Sequence, residues 1–183
     1  GIITTFDWRF ETTTLLTFSA GTSTIRMTPP DATGRSFKGG GLAYYNVTVQ
    51  GAGNYQLTIT GNNAFTGTFT VDRSVANKAI VATGTTQTVA GFVCLVSSTR
   101  TLTITGGTWV KTGGSIVNLD YLVLTNFTGS PTNYIAWFAG AHSTDSGGNT
   151  GITFASMESL LANTICPTFM TPTYPTRKTE SII

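Results

Sequence analysis

Charge is scarce in this chain: Asp, Glu, Lys and Arg make up 10% of its 183 residues, against about 25% in an average soluble domain. Few side chains are therefore on hand for acid, base or ion-pair work. The 10 basic and 8 acidic residues are scattered singly, so no patch can neutralise several phosphates together, and nucleic acid is not an expected partner. There is one histidine, His142, and there are two cysteines, Cys94 and Cys166. No CxxC or Cys/His cluster accompanies them, which excludes a structural zinc site. Each thiol is either a small buried hydrophobe or half of a disulfide tying the tail to the body. No run approaches the roughly 20 apolar residues of a membrane-spanning helix, so membrane insertion is not expected, and the N-terminus lacks the basic start and apolar stretch of a signal peptide. The start at Gly1 points to a trimmed initiator or to a product cut from something longer.

What the chain has instead is threonine, at 38 positions, and glycine, at 21. That composition favours β-branched strands separated by turns and disfavours long helices. From about residue 42 to 125 an apolar-Thr-apolar idiom recurs, in segments 45–50, 55–60, 65–71, 79–83, 88–94, 101–105 and 116–124. Within them the period is two: Val47 and Val49, Leu57 and Ile59, Phe69 and Val71, Leu102 and Ile104 share one face, and Thr48, Thr58, Thr70 and Thr103 share the other. One face is buried and the other is a threonine face.

The inward centres Val49, Ile59, Phe69, Ile80, Val93 and Ile104 recur every ten to thirteen residues, the beat of a stacked coil of short strands. A β-sandwich gives similar spacing, so the turns arbitrate. Hairpins would show two-residue Asn-Gly or Asp-Gly loops; here stand Gly51-Ala52-Gly53, Gly61-Asn62-Asn63 and Thr105-Gly106-Gly107, which suit solenoid corners. The expected fold is all-β, a parallel β-solenoid (β-helix) over residues 1–154, with a β-sandwich as the alternative. Residues 12–27 carry the same idiom and read as an earlier coil or cap. After Phe154 the character changes. Met157, Leu160 and Leu161 fall at helical spacing behind a Ser156 cap. Pro167, Pro172 and Pro175 then impose an extended arm ending in Ile182 and Ile183, so residues 155–183 form a short helix and a Pro-rich arm.

The segments Leu119-Asp120-Tyr121-Leu122-Val123-Leu124, then 135–145 with Trp137-Phe138-Ala139-Gly140 and His142-Ser143-Thr144-Asp145, then Gly147-Gly148-Asn149-Thr150-Gly151-Ile152-Thr153-Phe154, form one pattern. It resembles the closing repeat of Thr/Gly/Asn-rich β-solenoid proteins of environmental bacteriophages and bacterial surface proteins. Tyr44-Tyr45-Asn46-Val47-Thr48-Val49 and residues 61–68 resemble the internal repeats of that group, and the likeness covers residues 12–154. Phe138 stands where that group has tyrosine, His142 where it has asparagine, and Ile152 where it has a second tryptophan. The resemblance implies a solenoid fold and a particle-forming or host-facing setting, virion or extracellular. It implies no catalytic residues.

Several constellations invite chemistry. His142, Ser143 and Asp145 hold the letters of a hydrolase triad, but a triad converges from separate elements, and three letters in one turn do not. Asp145-Ser146-Gly147-Gly148-Asn149 lacks the further oxygen ligands and distal Glu of a calcium loop and reads as an Asx turn. Glycoside cleavage needs two carboxylates about 5–10 Å apart; Asp120, flanked by Leu119 and Tyr121 on a strand, is the acid expected to project from a sheet face, and no second acid is an obvious neighbour. Gly39-Gly40-Gly41 lacks the Lys and Ser/Thr of a phosphate loop. Asn46-Val47-Thr48 and Asn126-Phe127-Thr128 match the short glycosylation pattern. Trp137 and Phe138 are adjacent, so one of them should face outward.

These observations converge on a non-enzymatic virion structural protein of bacteriophage type, on a tail, fibre or head surface. It is expected to form homo-oligomers or to join other virion proteins through strand edges and arms. Ile2, Ile3, Phe6, Phe169, Tyr174, Ile182 and Ile183 are the candidate assembly residues, and no cofactor, metal or catalytic residue is expected. The alternative is a secreted bacterial adhesin or glycan-binding module that meets a host-surface glycan or receptor through Trp137 or Tyr121. A polysaccharide depolymerase using Asp120 is the third reading.

Overall fold

The structure, a computed structural model, describes residues 1–11, 16–95, 98–113, 116–131 and 136–159. Its strands wind into a parallel β-solenoid, and every pair among the described residues is parallel. Hydrogen-bonded partners mostly lie 20 to 24 residues apart, as for Thr108 with Thr128 and Lys78 with Leu102; Trp8 and Phe37 are 29 apart. Each turn of the coil lays down three short strands. The first face runs from β1 (Ile2–Thr5) through Thr24–Met27 and Asn46–Val49 to the later halves of Ala64–Asp72 and Thr86–Leu95. Val117–Asn118 and Trp137–Phe138 pair in the next turns. The second face is a seven-stranded sheet from Trp8–Arg9 to Thr144–Asp145. The third runs through Ala43–Tyr44, the early halves of the two long strands, Thr108–Lys111 and Thr128–Ser130.

The ten-to-thirteen-residue beat is thus half a turn, alternating between the first and second faces. Glycine corners fall where the sequence places them, with positive φ at Gly51, Gly61, Gly106 and Gly107. One inward assignment is corrected. Val93 is 40% exposed because Thr86–Leu95 changes phase between Val89 and Gly91, where it leaves the third face for the first. Phe92 and Cys94 turn inward in its place, and Val93 and Leu95 point out.

Inside, side chains stack in columns. Ile25, Val47, Phe69 and Phe92 follow one another up the first face, all buried. An aromatic chain threads the axis: Phe65 to Phe69 at 4.9 Å, Phe69 to Phe92 at 5.4 Å, Phe92 to Trp109 at 5.2 Å and Phe127 to Trp137 at 5.6 Å. Burying each such side chain contributes roughly 1.5–3 kcal/mol, whereas exposed ion pairs such as Glu11–Lys38 contribute about 0–1 kcal/mol. Packing therefore dominates stability. It is tight at Gly129: a methyl group there would stand 2.5 Å from the Gly151 carbonyl and 2.9 Å from the Trp137 indole.

Four polar side chains are also buried among the described residues, and the coil itself supplies their partners, except that the Arg73 Nε has none. Asn63 donates to Gln87 at 3.1 Å, one turn on, and Lys78 donates to the carbonyls of Gly51, Gly53 and Ala76 at 3.0, 3.0 and 3.2 Å. Burial pushes the Lys78 ammonium below its ordinary value. Arg73 spans two turns, donating to the carbonyls of Arg100 at 2.7 Å, Tyr121 at 2.7 Å and Asp120 at 2.9 Å. Buried polar groups with partners are tolerated, and those without are costly.

At the C-terminal end, residues 157–159 form one helical turn. Ser156 caps it, accepting from the Ser159 N–H at 3.1 Å, the bond expected of that position. Leu160, Leu161, Cys166 and the arm with Phe169, Tyr174, Ile182 and Ile183 lie outside the described residues. No helix among the described residues is long and apolar enough to cross a membrane.

Candidate functional site

A solenoid of parallel strands has two open ends, and no described strand covers the end at β1. β1 hydrogen-bonds to Thr24–Met27 along one edge and to no described strand along the other. Ile3 has the inward phase, opposite the buried Ile25, yet it is 46% exposed, with no described strand beneath it. Ile2 and Phe6 are exposed as well. Beside them opens a cavity of about 110 Å³, lined by Ile3, Phe18, Ile25, Tyr44 and neighbouring residues. Three of the seven assembly candidates, Ile2, Ile3 and Phe6, thus meet at one end. Unpaired N–H and C=O groups beside exposed apolar side chains are the ordinary template for adding another strand.

The other chemically distinctive place is the corner around Asp120. Asp120 lies between Val117–Asn118 and Leu122–Thr125, not on a strand. Tyr121 beside it takes φ 55°, a left-handed backbone uncommon for a bulky residue. The geometry is fixed from both sides: Arg73 holds the carbonyls of Asp120 and Tyr121 from within, and Asp120 Oδ1 accepts from the Tyr121 N–H at 2.9 Å. One turn on, His142 closes the corner. Its N–H donates to Asp120 Oδ1 at 2.9 Å, its Nδ1 lies 2.7 Å from Oδ2, and its ring stacks on Tyr121 at 4.7 Å and 4°. Gly140 must be glycine here, with φ 83° and the Asp120 carboxylate where a side chain would begin. Burial pushes the Asp120 carboxyl up, but the hydrogen bonds from the His142 ring and from the His142 and Tyr121 N–H groups outweigh it and hold the group below its ordinary value.

No protein-family model matches the chain, and neither does any curated protein or solved structure.

The remaining nominated residues sort by geometry. Trp137 is fully buried, its indole N–H donating to the Ser130 carbonyl at 3.2 Å, which corrects the expectation of a surface contact for sugar there; Tyr121 is half-buried at the corner. Phe138 is buried too, so neither aromatic projects into solvent. Its strand partner Asn118 lines an outer cleft with Ser156 and Met157, where the chain returns across that face. His142 and Ser143 do not face each other as in a triad: His142 pairs with Asp120, and Ser143 Oγ accepts from the Leu122 N–H at 2.8 Å. Asp145 accepts from the Gly147 N–H at 2.9 Å, an Asx turn as read from sequence. Among the described residues no three His, Cys, Asp or Glu side chains gather in a way that could hold a metal ion. Sequence reading missed the Asp120–His142 pair, whose separation of 22 residues is one turn of the coil. Glu158 also lines the cleft beside Asp120, a neighbouring acid the sequence did not suggest.

Proposed function

We propose that this chain is a non-enzymatic structural module of a bacteriophage-type particle, joined to its neighbours through the open edge of β1. The observation that carries the reading is the end at β1, where an edge that no described strand pairs, exposed Ile2, Ile3 and Phe6 and an apolar cavity coincide. The bacteriophage setting is supported by the resemblance carried by residues 119–124 and 135–154. An edge of this kind favours oligomers, because adding a strand satisfies the main chain while covering the apolar end. Analytical ultracentrifugation of the full chain tests it. Self-association should occur and should weaken at least tenfold in Ile3→Asp, with the circular-dichroism spectrum retained; a monomer at all concentrations, or association indifferent to Ile3→Asp, sinks the reading.

A second reading, saccharide binding at the Tyr121–His142 corner, draws on the stacked rings beside a cleft lined by Asn118, Asp120 and Glu158. Aromatic faces flanked by carboxylate and amide groups suit sugar hydroxyls and CH surfaces. A glycan array probed with wild type and with Tyr121→Ala separates the two, since a purely architectural subunit shows no saccharide selectivity.

A further inference from the structure

The third face carries a feature that assembly through β1 does not use. On its outer side Thr86, Thr108, Thr128 and Thr150 occupy one register position in four successive turns. A second column, Thr88, Val110 and Ser130, runs beside it. The residues between them, Gln87, Trp109 and Gly129, point inward and are buried, so the two columns stand on a packed floor. Strand spacing sets the threonine backbones about 4.8 Å apart along the column, and two-residue alternation sets the columns about 6.6 Å apart. Thr150 Oγ1 donates to Thr128 Oγ1 at 3.2 Å, which orients the end of the row. Alongside the first column runs a trough of about 230 Å³ lined by Gly84, Thr85, Gly107 and Asn126 together with three of the threonines. None of its described lining residues is ionisable. The first face breaks the pattern, its outward column reading Arg26, Thr48, Thr70, Val93, and the second face interrupts its threonines with Val81.

A flat row of methyl and hydroxyl groups, rigid, uncharged and evenly spaced, is a poor recognition surface for a folded protein or a charged ligand. It suits a partner that is itself a lattice. The column spacing is close to the repeat of water oxygens along the a axis of hexagonal ice, and the trough is roomy enough for a rank of waters between hydroxyls that can bond them. We propose that the third face binds ice, through the column Thr86, Thr108, Thr128 and Thr150 and the water rank beside it. Methyl groups exclude disordered water from the contact while hydroxyls anchor ordered water. Charged side chains, with their own tight hydration, would spoil the match.

The test is partition of the full chain into a slowly growing ice front, with recrystallisation inhibition as a second readout. Wild type should enter the ice and slow grain growth. Thr108→Tyr and Thr128→Tyr, which raise a bulky ring out of the row, should lose at least tenfold in both, whereas Thr70→Tyr on the first face should behave as wild type. Circular dichroism and thermal melting verify that all three fold. Exclusion of wild type from ice overturns the proposal, as does equal capture of the folded Thr108→Tyr protein. Self-association that Thr108→Tyr abolishes, without ice capture, would mark the face as a contact between copies and would likewise overturn it.

Discussion

Replacing Arg73 by methionine probes the least expected part of the interior. The guanidinium is fully buried and ties three carbonyls across two turns of the coil. Hydrogen bonds from a charged donor contribute about 1.5–3 kcal/mol each, so the three sum to roughly 4.5–9 kcal/mol. Burying the cation itself costs several kcal/mol, which the substitution recovers. What remains is three carbonyls that lose a charged donor, of which Tyr121 keeps the Leu102 N–H at 3.2 Å; the other two lose at most about 1–3 kcal/mol each, offset in part by roughly 1.5–3 kcal/mol from burying the methionine. The expected net loss is about 1–4 kcal/mol. In a chain of this size that lowers the melting temperature by roughly 2–16 °C. Urea and thermal unfolding followed by circular dichroism measure it. Arg73→Lys keeps the charge, but one amine cannot reach both turns, so it should fall between. A loss below about 1 kcal/mol for Arg73→Met, with an unchanged urea slope, would refute the idea that this residue clamps the turns.

Two further outcomes follow from titratable groups. Burial pushes the Cys94 thiol up to about 11, and the nearby Arg73 guanidinium only partly offsets it; since the thiolate is the reactive form, peptide mapping after iodoacetamide at pH 8 should find Cys94 unmodified in the folded protein and alkylated in urea. Comparable labelling in both states would mean that the coil opens there. The Asp120 carboxyl is held below its ordinary value, so its contribution to stability is present above the unfolded pKa of about 3.9 and is lost as pH falls through the folded value. Melting temperature should therefore drop more steeply below pH 4 in wild type than in Asp120→Asn, and parallel curves would show that the His142 contacts contribute nothing.

The coil was legible because its signal is repeated. Val47 and Val49, Leu57 and Ile59, Leu102 and Ile104 alternate with threonine turn after turn, and the glycine corners exclude hairpins. A local break in phase leaves no such trace: Val89, Gly91 and Val93 read as continuing alternation, and only the shift from one face to the next shows that Val93 points outward. Asp120 looked like a strand residue between Leu119 and Tyr121, but the positive φ of Tyr121 makes that stretch a corner, and hydrophobic patterning does not encode φ. The buried charges are a different case. Lys78 shares parity with Ile80, and that placed it inside, had parity been trusted over the usual exposure of lysine. Arg73 shares parity with Phe69 and Val71 in the same way, and it stands one residue past the strand end, where carbonyls from later turns converge. The contact between Asp120 and His142 was invisible until the length of a turn was known.

That length carries its own consequence. Because nearly every hydrogen-bonded neighbour is one circuit away along the chain, a duplication or deletion of one whole circuit hands each side chain a near-identical neighbour above and below, and the rod grows or shrinks by about 4.8 Å. Losing a few residues instead would rotate every later column against the one before it. Evolution can thus adjust the height of this molecule in discrete steps, each close to neutral for the interior, while the terminal storeys are left to specialise.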